Sequence, residues 1–218
     1  FLTWRDLKVR YKQTLLGASW AILQPVLQMV VFTLLFDGLA NLDSDGVPYP
    51  IFNYTALLPW GLFSKALSDA GKSLVQNRNM ITKVYFPRLV IPLASVLGGV
   101  VDFAVAFVVL IGMMVYYHFT PGSGYQFTPS WALLALIPLL LLALVAALGA
   151  SLWLSAANVL YRDIGYVLPF LSQIWFFATP IVYSSSSIPE RWRFWYALNP
   201  MVGVIDGFRW ALLGTPAP

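Results

Sequence analysis

The chain has 218 residues, 59% of them hydrophobic and 10% charged, and its 13 Lys and Arg against 9 Asp and Glu give a formal net charge of +4. A soluble domain of this size needs about a quarter of its residues charged, so a cytosolic enzyme is excluded, as are a disordered chain and, with no cysteine, a disulfide-built secreted domain. Long unbroken apolar runs, in place of ten-residue alternating segments, point to an all-α polytopic membrane protein.

Residues 1–14 open the chain. Trp4, Leu7 and Tyr11 fall at helical spacing on one side, with Arg5, Lys8, Arg10 and Lys12 over the rest. That pattern predicts an amphipathic helix lying in the membrane interface; a basic flank that only sets orientation is the simpler alternative. Residues 15–39 form the first predicted span, long enough to cross a hydrocarbon core of about 30 Å with tilt. The run is too long for the core of a signal peptide, and no small-residue cleavage site follows. Pro25 permits a kink, and Gln24 and Gln28 lie one turn apart beside it. Asp37 falls at the outer end of this span, and Asp43 and Asp45 mark the short acidic loop that follows.

Residues 51–74 are the second predicted span. Its first half is apolar apart from Asn53 and Thr55, while its second half carries Lys65, Asp69 and Lys72. Lys65 and Asp69 are four apart and can pair on one helix face. Either the helix leaves the bilayer near Lys65, or these charges face a protein-lined or wet interior. A basic stretch leads to the third span, 89–117, with Asp102 as its one charge. A mid-bilayer carboxylate reads either as part of a polar path or as a helix–helix hydrogen bond. A Pro- and Gly-rich loop follows, with His118 as an exposed loop residue. The fourth span, 131–153, has no charge and a Trp at each end, which suits two interfaces.

Asn158, Arg162 and Asp163 break the pattern before the fifth span, 165–183, which holds Pro169 and Pro180. Residues 188–213 are first aromatic and basic, then apolar but short, and they include Asp206 and Arg209. They predict two short re-entrant or interfacial helices. Gly203 and Gly207 have the four-residue spacing of close helix packing.

Orientation follows from Lys and Arg. They cluster before the first span, between the second and third, and at Arg162, while loops 40–50 and 118–130 have none. The N-terminus is therefore expected in the cytoplasm, with Arg191, Arg193 and Arg209 departing from the pattern. In this setting the positive charge reflects topology and anionic lipid, and no nucleic acid is expected as a partner.

The chain lacks a Gly-rich phosphate cradle, has one His, and scatters its carboxylates. No catalytic residue, metal site or cofactor site is expected on it. Aromatic residues crowd the last quarter, among them Trp175, Phe176, Tyr183, Trp192, Trp195 and Tyr196. Flat aromatic faces suit the C–H faces of sugars, which makes these six candidates for a glycan path; an anchoring belt at the interface is the alternative.

Four stretches, residues 5–25, 77–88, 158–164 and 188–200, together resemble type-2 ABC export permeases. The branch is the one for O-antigen, capsular polysaccharide and teichoic acid, and the likeness runs over essentially the whole chain. The resemblance implies a homodimer, each subunit binding one cytoplasmic ATPase subunit that carries ATP and Mg. This chain would then be a permease subunit of the bacterial inner membrane and not itself an enzyme. It further implies that residues 77–87 form a coupling helix docking on the ATPase through Asn77, Arg78, Asn79, Met80, Ile81, Thr82 and Lys83. Residues 1–14 become an interfacial gate helix, and residues 188–213 short helices at the outer mouth. The basic rim of Arg5, Lys8 and Lys12 is a candidate for the headgroup of a lipid carrier. Family members have six spans; this chain begins at Phe1 and stops at Pro218, so five are expected, with the sixth lost to truncation. The implied activity is ATP-driven export of lipid-linked polysaccharide. The competing readings are a type-2 ABC exporter of small hydrophobic compounds and an ion-coupled carrier needing no ATPase.

Overall fold

A computed structural model describes residues 19–40, 43–78, 81, 87, 89–121, 125–127, 130–161 and 163–217. Every regular element among them is helical. Helix α1 (Ser19–Phe32) contains Pro25 and runs on into a π-helical turn, Thr33–Asp37. Helix α2 (Tyr49–Gln76) follows, then α3 (Val90–Phe119), a 3-10 turn (Trp131–Ala135) leading into α4 (Leu136–Leu160), and α5 (Ile164–Phe177). Two short helices close the chain, α6 (Glu190–Ala197) and α7 (Pro200–Leu213). The predicted interfacial helix at 1–14 lies outside the described residues.

Two described helices are long and apolar enough to cross a membrane, Val90–Phe119 and Trp131–Leu160. The bundle is nevertheless organised around α2, whose residues Ile51 to Trp60 are all buried. Pro48 precedes this helix and a proline occupies its first positions, where a missing N–H leaves nothing unpaired. Helix α4 meets α2 through a stripe of Ala143, Ala147, Ser151 and Ser155. These recur every fourth residue and are small enough to let the two backbones approach. Its outward face exposes Leu141, Val145 and Trp153.

Long-range hydrogen bonds sort the connections into two ends. At one end the Tyr49 hydroxyl donates to the Val182 carbonyl at 2.8 Å, Ser184 donates to Asp45, and Tyr125 donates to the Leu212 carbonyl at 3.1 Å. His118, in the last turn of α3, accepts from the Phe127 N–H there. At the other end Asn158 Nδ2 donates to the Gly71 carbonyl at 3.1 Å. The loop with the acidic residues, the loop after α3, and helices α6 and α7 therefore share one end. Residues 77 and 78, with residues 161 and 163, lie at the other.

Helix α7 starts cleanly: Asn199 accepts from the Met201 N–H, and Pro200 takes the first helical position. It ends at Gly214, whose φ of 73° is the left-handed conformation glycine adopts without strain. At 14 residues it is about 21 Å long, short of a bilayer core. Of the Gly203 and Gly207 pair, only the second is used for packing. A Cβ on Gly207 would fall 2.7 Å from both Leu139 δ-carbons of α4, while one on Gly203 meets nothing within 4 Å. Gly207→Val is expected to lower stability by about 1–3 kcal/mol, the usual cost of overpacking. Adding Leu139→Ala should recover most of that loss, read as the thermal midpoint of the detergent-solubilised protein.

Candidate functional site

A groove of about 1110 Å³ lies between α1, α2, α3 and α5. Each helix lends one stripe at helical spacing. Helix α1 contributes Trp20, Gln24 and Gln28, α2 Gly61, Ser64, Lys65 and Ser68, α3 Asp102 and Phe103, and α5 Pro169, Ser172, Gln173 and Phe176. The walls are therefore amides, hydroxyls and flat aromatic faces on helices that are apolar elsewhere. Gln24 and Gln28 stood out in the sequence; Ser172 and Gln173, a polar pair inside an apolar span, carried the same signal unnoticed.

The charges of the groove are Lys65, Asp69 and Asp102. Lys65 forms its ion pair with Asp102 on α3, 37 residues away, where the spacing in the sequence had suggested Asp69 one turn along. The two helices have 28 and 30 residues, and the pair sits near the middle of both, facing a protein-lined interior. The Lys65 side chain is 34% exposed and that of Asp102 13%, so the ammonium is the more open partner. Asp102 thus joins two helices and lines the cavity as well.

Helix α5 separates this groove from a second hollow of about 700 Å³. Leu171, Ile174 and Trp175 face the hollow, together with Trp192, Trp195 and Tyr196. The six predicted glycan-path aromatics are thereby divided. Phe176 packs into the groove wall against Phe32 and Trp60, with ring centroids 5.6 and 5.7 Å away. Trp175, Trp192, Trp195 and Tyr196 surround the hollow, and the Trp175 indole donates to Asn199 Oδ1 at 3.0 Å. The Tyr183 and Tyr196 hydroxyls bond to each other. Helix α6 buries none of its residues.

The residue the sequence did not single out is Arg209. Its side chain is 2% exposed. Nη1 donates to the Pro180 carbonyl at 2.6 Å and the Tyr183 carbonyl at 3.3 Å, Nη2 to Ile181 at 2.8 Å, and Nε to Phe52 at 3.4 Å. The guanidinium also stacks on the Phe52 ring, 3.6 Å from its centroid. The chain turns back after α5, leaving carbonyls that no helix satisfies, and the planar fork of an arginine meets several at once. Burial lowers its pKa to about 10, so it stays charged at neutral pH, with Asp206 opposing the shift from 3.9 Å. Burial raises the Asp206 carboxyl above the ordinary range, against the hydrogen bond from Ser185 and the charge of Arg209. The one sequence signal was the Asp206 and Arg209 pair, three apart, in an otherwise apolar run.

Of the expected coupling residues, Asn77, Arg78 and Ile81 are described and Asn79, Met80, Thr82 and Lys83 lie outside the described residues. Asn77 ends α2: its backbone N–H and its side-chain amide both reach the Ser73 carbonyl. Ile81 N–H bonds back to the Asn77 carbonyl at 3.1 Å, one helical turn on, and Arg78 is exposed. Arg5, Lys8 and Lys12 lie outside the described residues.

Comparison with known proteins adds the following. A family model described as ABC-2 type transporter matches residues 1–213. The chain is 31% identical over 211 residues to the O-antigen export system permease protein RfbA of Myxococcus xanthus, covering 95% of this chain and 77% of that protein. It is 29% identical over 209 residues to a protein of the same name from Klebsiella pneumoniae, with the same coverage. The polysialic acid transport protein KpsM of Escherichia coli is 21% identical over 209 residues, covering 96% of this chain and 78% of that protein.

Proposed function

The chain belongs to the ABC-2 type transporter family, and from that membership we propose that it is the membrane subunit of an ATP-driven polysaccharide exporter. Its cargo is lipid-linked glycan of the O-antigen or capsule type, moved across the bacterial inner membrane. Two relatives carry O-antigen export in their names and a third polysialic acid transport, which favours this reading over an exporter of small hydrophobic compounds. The observation that carries it in the structure is the groove, walled by amides, hydroxyls and aromatic faces. A long sugar chain must slide, and many weak, replaceable hydrogen bonds over flat apolar faces permit this where strong charges would hold it.

Two copies facing each other would enclose a tunnel from two such grooves. ATP and Mg belong to a separate cytoplasmic subunit, docked on residues 77–83, of which the described residues 77 and 78 lie at the end of the bundle away from α7. The N-terminus lies in the cytoplasm, as the Lys and Arg distribution supports. The chain is read as crossing the membrane five times, the fifth crossing made by the 14-residue α5 together with residues 178–183 that follow it, with α6 and α7 at the outer mouth. Arg5, Lys8 and Lys12 at the inner rim meet the phosphate head of the lipid carrier by charge-assisted hydrogen bonds.

The full-length gene is expected to restore surface glycan to a strain lacking it, provided the partner ATPase is active. An ATPase-dead partner should give none. A well-expressed permease that restores no glycan beside an active ATPase would overturn the reading.

A further inference from the structure

We infer that Asn158 is the positioning residue through which movement of the ATPase-docking end of α2 reaches the groove, by way of the first turn of α5. The inference rests on the reading of residues 77–83 as the docking segment.

Asn158 is buried near the C-terminal end of α4, where it continues the small-residue stripe that meets α2. Its Nδ2 donates to the Gly71 carbonyl at 3.1 Å. Gly71 lies less than two turns before Asn77, about 9 Å along the helix, so the contact is made beside the docking segment. A carbonyl inside a helix keeps a second lone pair, and Asn158 uses it without disturbing α2. The same two residues hold the start of α5. Leu168 is buried and packs where Gly71 has no side chain: a Cβ on Gly71 would fall 2.9 Å from Leu168 Cδ1. The backbone at Gly165 passes close to the Asn158 amide, where a Cβ would sit 3.4 Å from Oδ1.

That first turn depends on support from outside its own helix. Pro169 lies inside α5 and has no N–H for the Gly165 carbonyl one turn back. A helix bends at such a gap. From Pro169 onward α5 lines the groove, with Ser172, Gln173 and Phe176. In a bilayer, helices are kept in place by close approach and interhelical hydrogen bonds, because apolar surface alone gains little there. When the end of α2 shifts, Asn158 and Leu168 carry the first turn of α5 with it. The bend at Pro169 changes, and the groove wall moves.

The test uses Ser172→Cys as one reporter thiol in the groove of an otherwise cysteine-free full-length permease, purified with its ATPase partner in nanodiscs. Its rate of modification by a membrane-impermeant maleimide is measured with and without ATP and Mg. ATP is expected to change that rate at least roughly fivefold, the lower end of ordinary coupling between sites. Asn158→Leu should keep the ATPase attached and hydrolysing while abolishing the change, and surface glycan in cells should fall by a similar factor. Gly71→Val wedges Leu168 away and should do the same, and adding Leu168→Ala should restore the change. This second pair decides where Asn158→Leu fails to assemble. No response in the wild-type complex, a full response in an assembled Asn158→Leu complex, or no restoration by Leu168→Ala would overturn the inference while leaving docking on 77–83 intact. An ATPase that stays attached to an Arg78→Glu permease would instead count against the docking reading itself.

Discussion

Arg209→Met is expected to cost about 3–5 kcal/mol, the penalty of removing one partner from a buried charged network. The loss has three parts. The carbonyls of Phe52, Pro180, Ile181 and Tyr183 lose a donor in a place where water does not replace it. Asp206 loses its neighbouring cation while staying largely buried. The stacking on Phe52 goes as well. Arg209→Lys should rescue little, because an ammonium cannot spread its donors across carbonyls that a planar fork spans. The readout is the thermal midpoint of the full-length protein in detergent, beside the amount recovered from membranes. A midpoint within a degree or two of wild type would show that these contacts do not hold α7 in place.

Gly61→Trp is expected to fold and yet export little. Gly61 lines the groove, is exposed, and has nothing within 4 Å of an added Cβ. An indole there occupies the passage without displacing a packed neighbour. Surface glycan should fall roughly tenfold or more, as for a barrier raised by at least about 1.4 kcal/mol. The control is Gly61→Ala, which leaves the passage open and should raise helix stability by up to about 1 kcal/mol. Full export by Gly61→Trp would show that glycan does not pass here.

Much of the fold was legible in the sequence because hydrophobic length and charge position report on the membrane directly. The single-charge run at 89–117 overlaps α3 closely, while the charge-free run at 131–153 takes in the 3-10 turn and most of α4, which continues seven residues further, to Leu160. The short, charge-bearing terminal stretches became α6 and α7. What hydropathy could not reveal is which helix lies inside the bundle. In a bilayer the surroundings are as apolar as any core, so burial no longer selects for hydrophobic residues. Helix α4 with its leading turn is strongly apolar, yet few of its residues are buried inside the bundle. Helix α2, the least clean span to read, is the one the others pack around. Its polar residues mark the inside of the bundle.

The site was half legible for a similar reason. Helical spacing finds neighbours along one helix, so it proposed Asp69 for Lys65; the partner came from a different helix, 37 residues on. Arg209 looked like an exception to the charge pattern because its partners are backbone carbonyls, which leave no trace in a sequence. The aromatic cluster was visible as composition, but only the direction of each face of α5 sends Phe176 to the groove and Trp175 to the hollow behind it.

The most direct test of the central claim is photo-crosslinking in glycan-producing cells. A benzoylphenylalanine replaces Gln28 in the groove in one strain and Val145 on the outward face of α4 in another. Irradiation should attach glycan to the protein at position 28 only while the partner ATPase is active, and never at position 145. Adducts at 145 and none at 28, or adducts at 28 that form equally with an inactive ATPase, would contradict it.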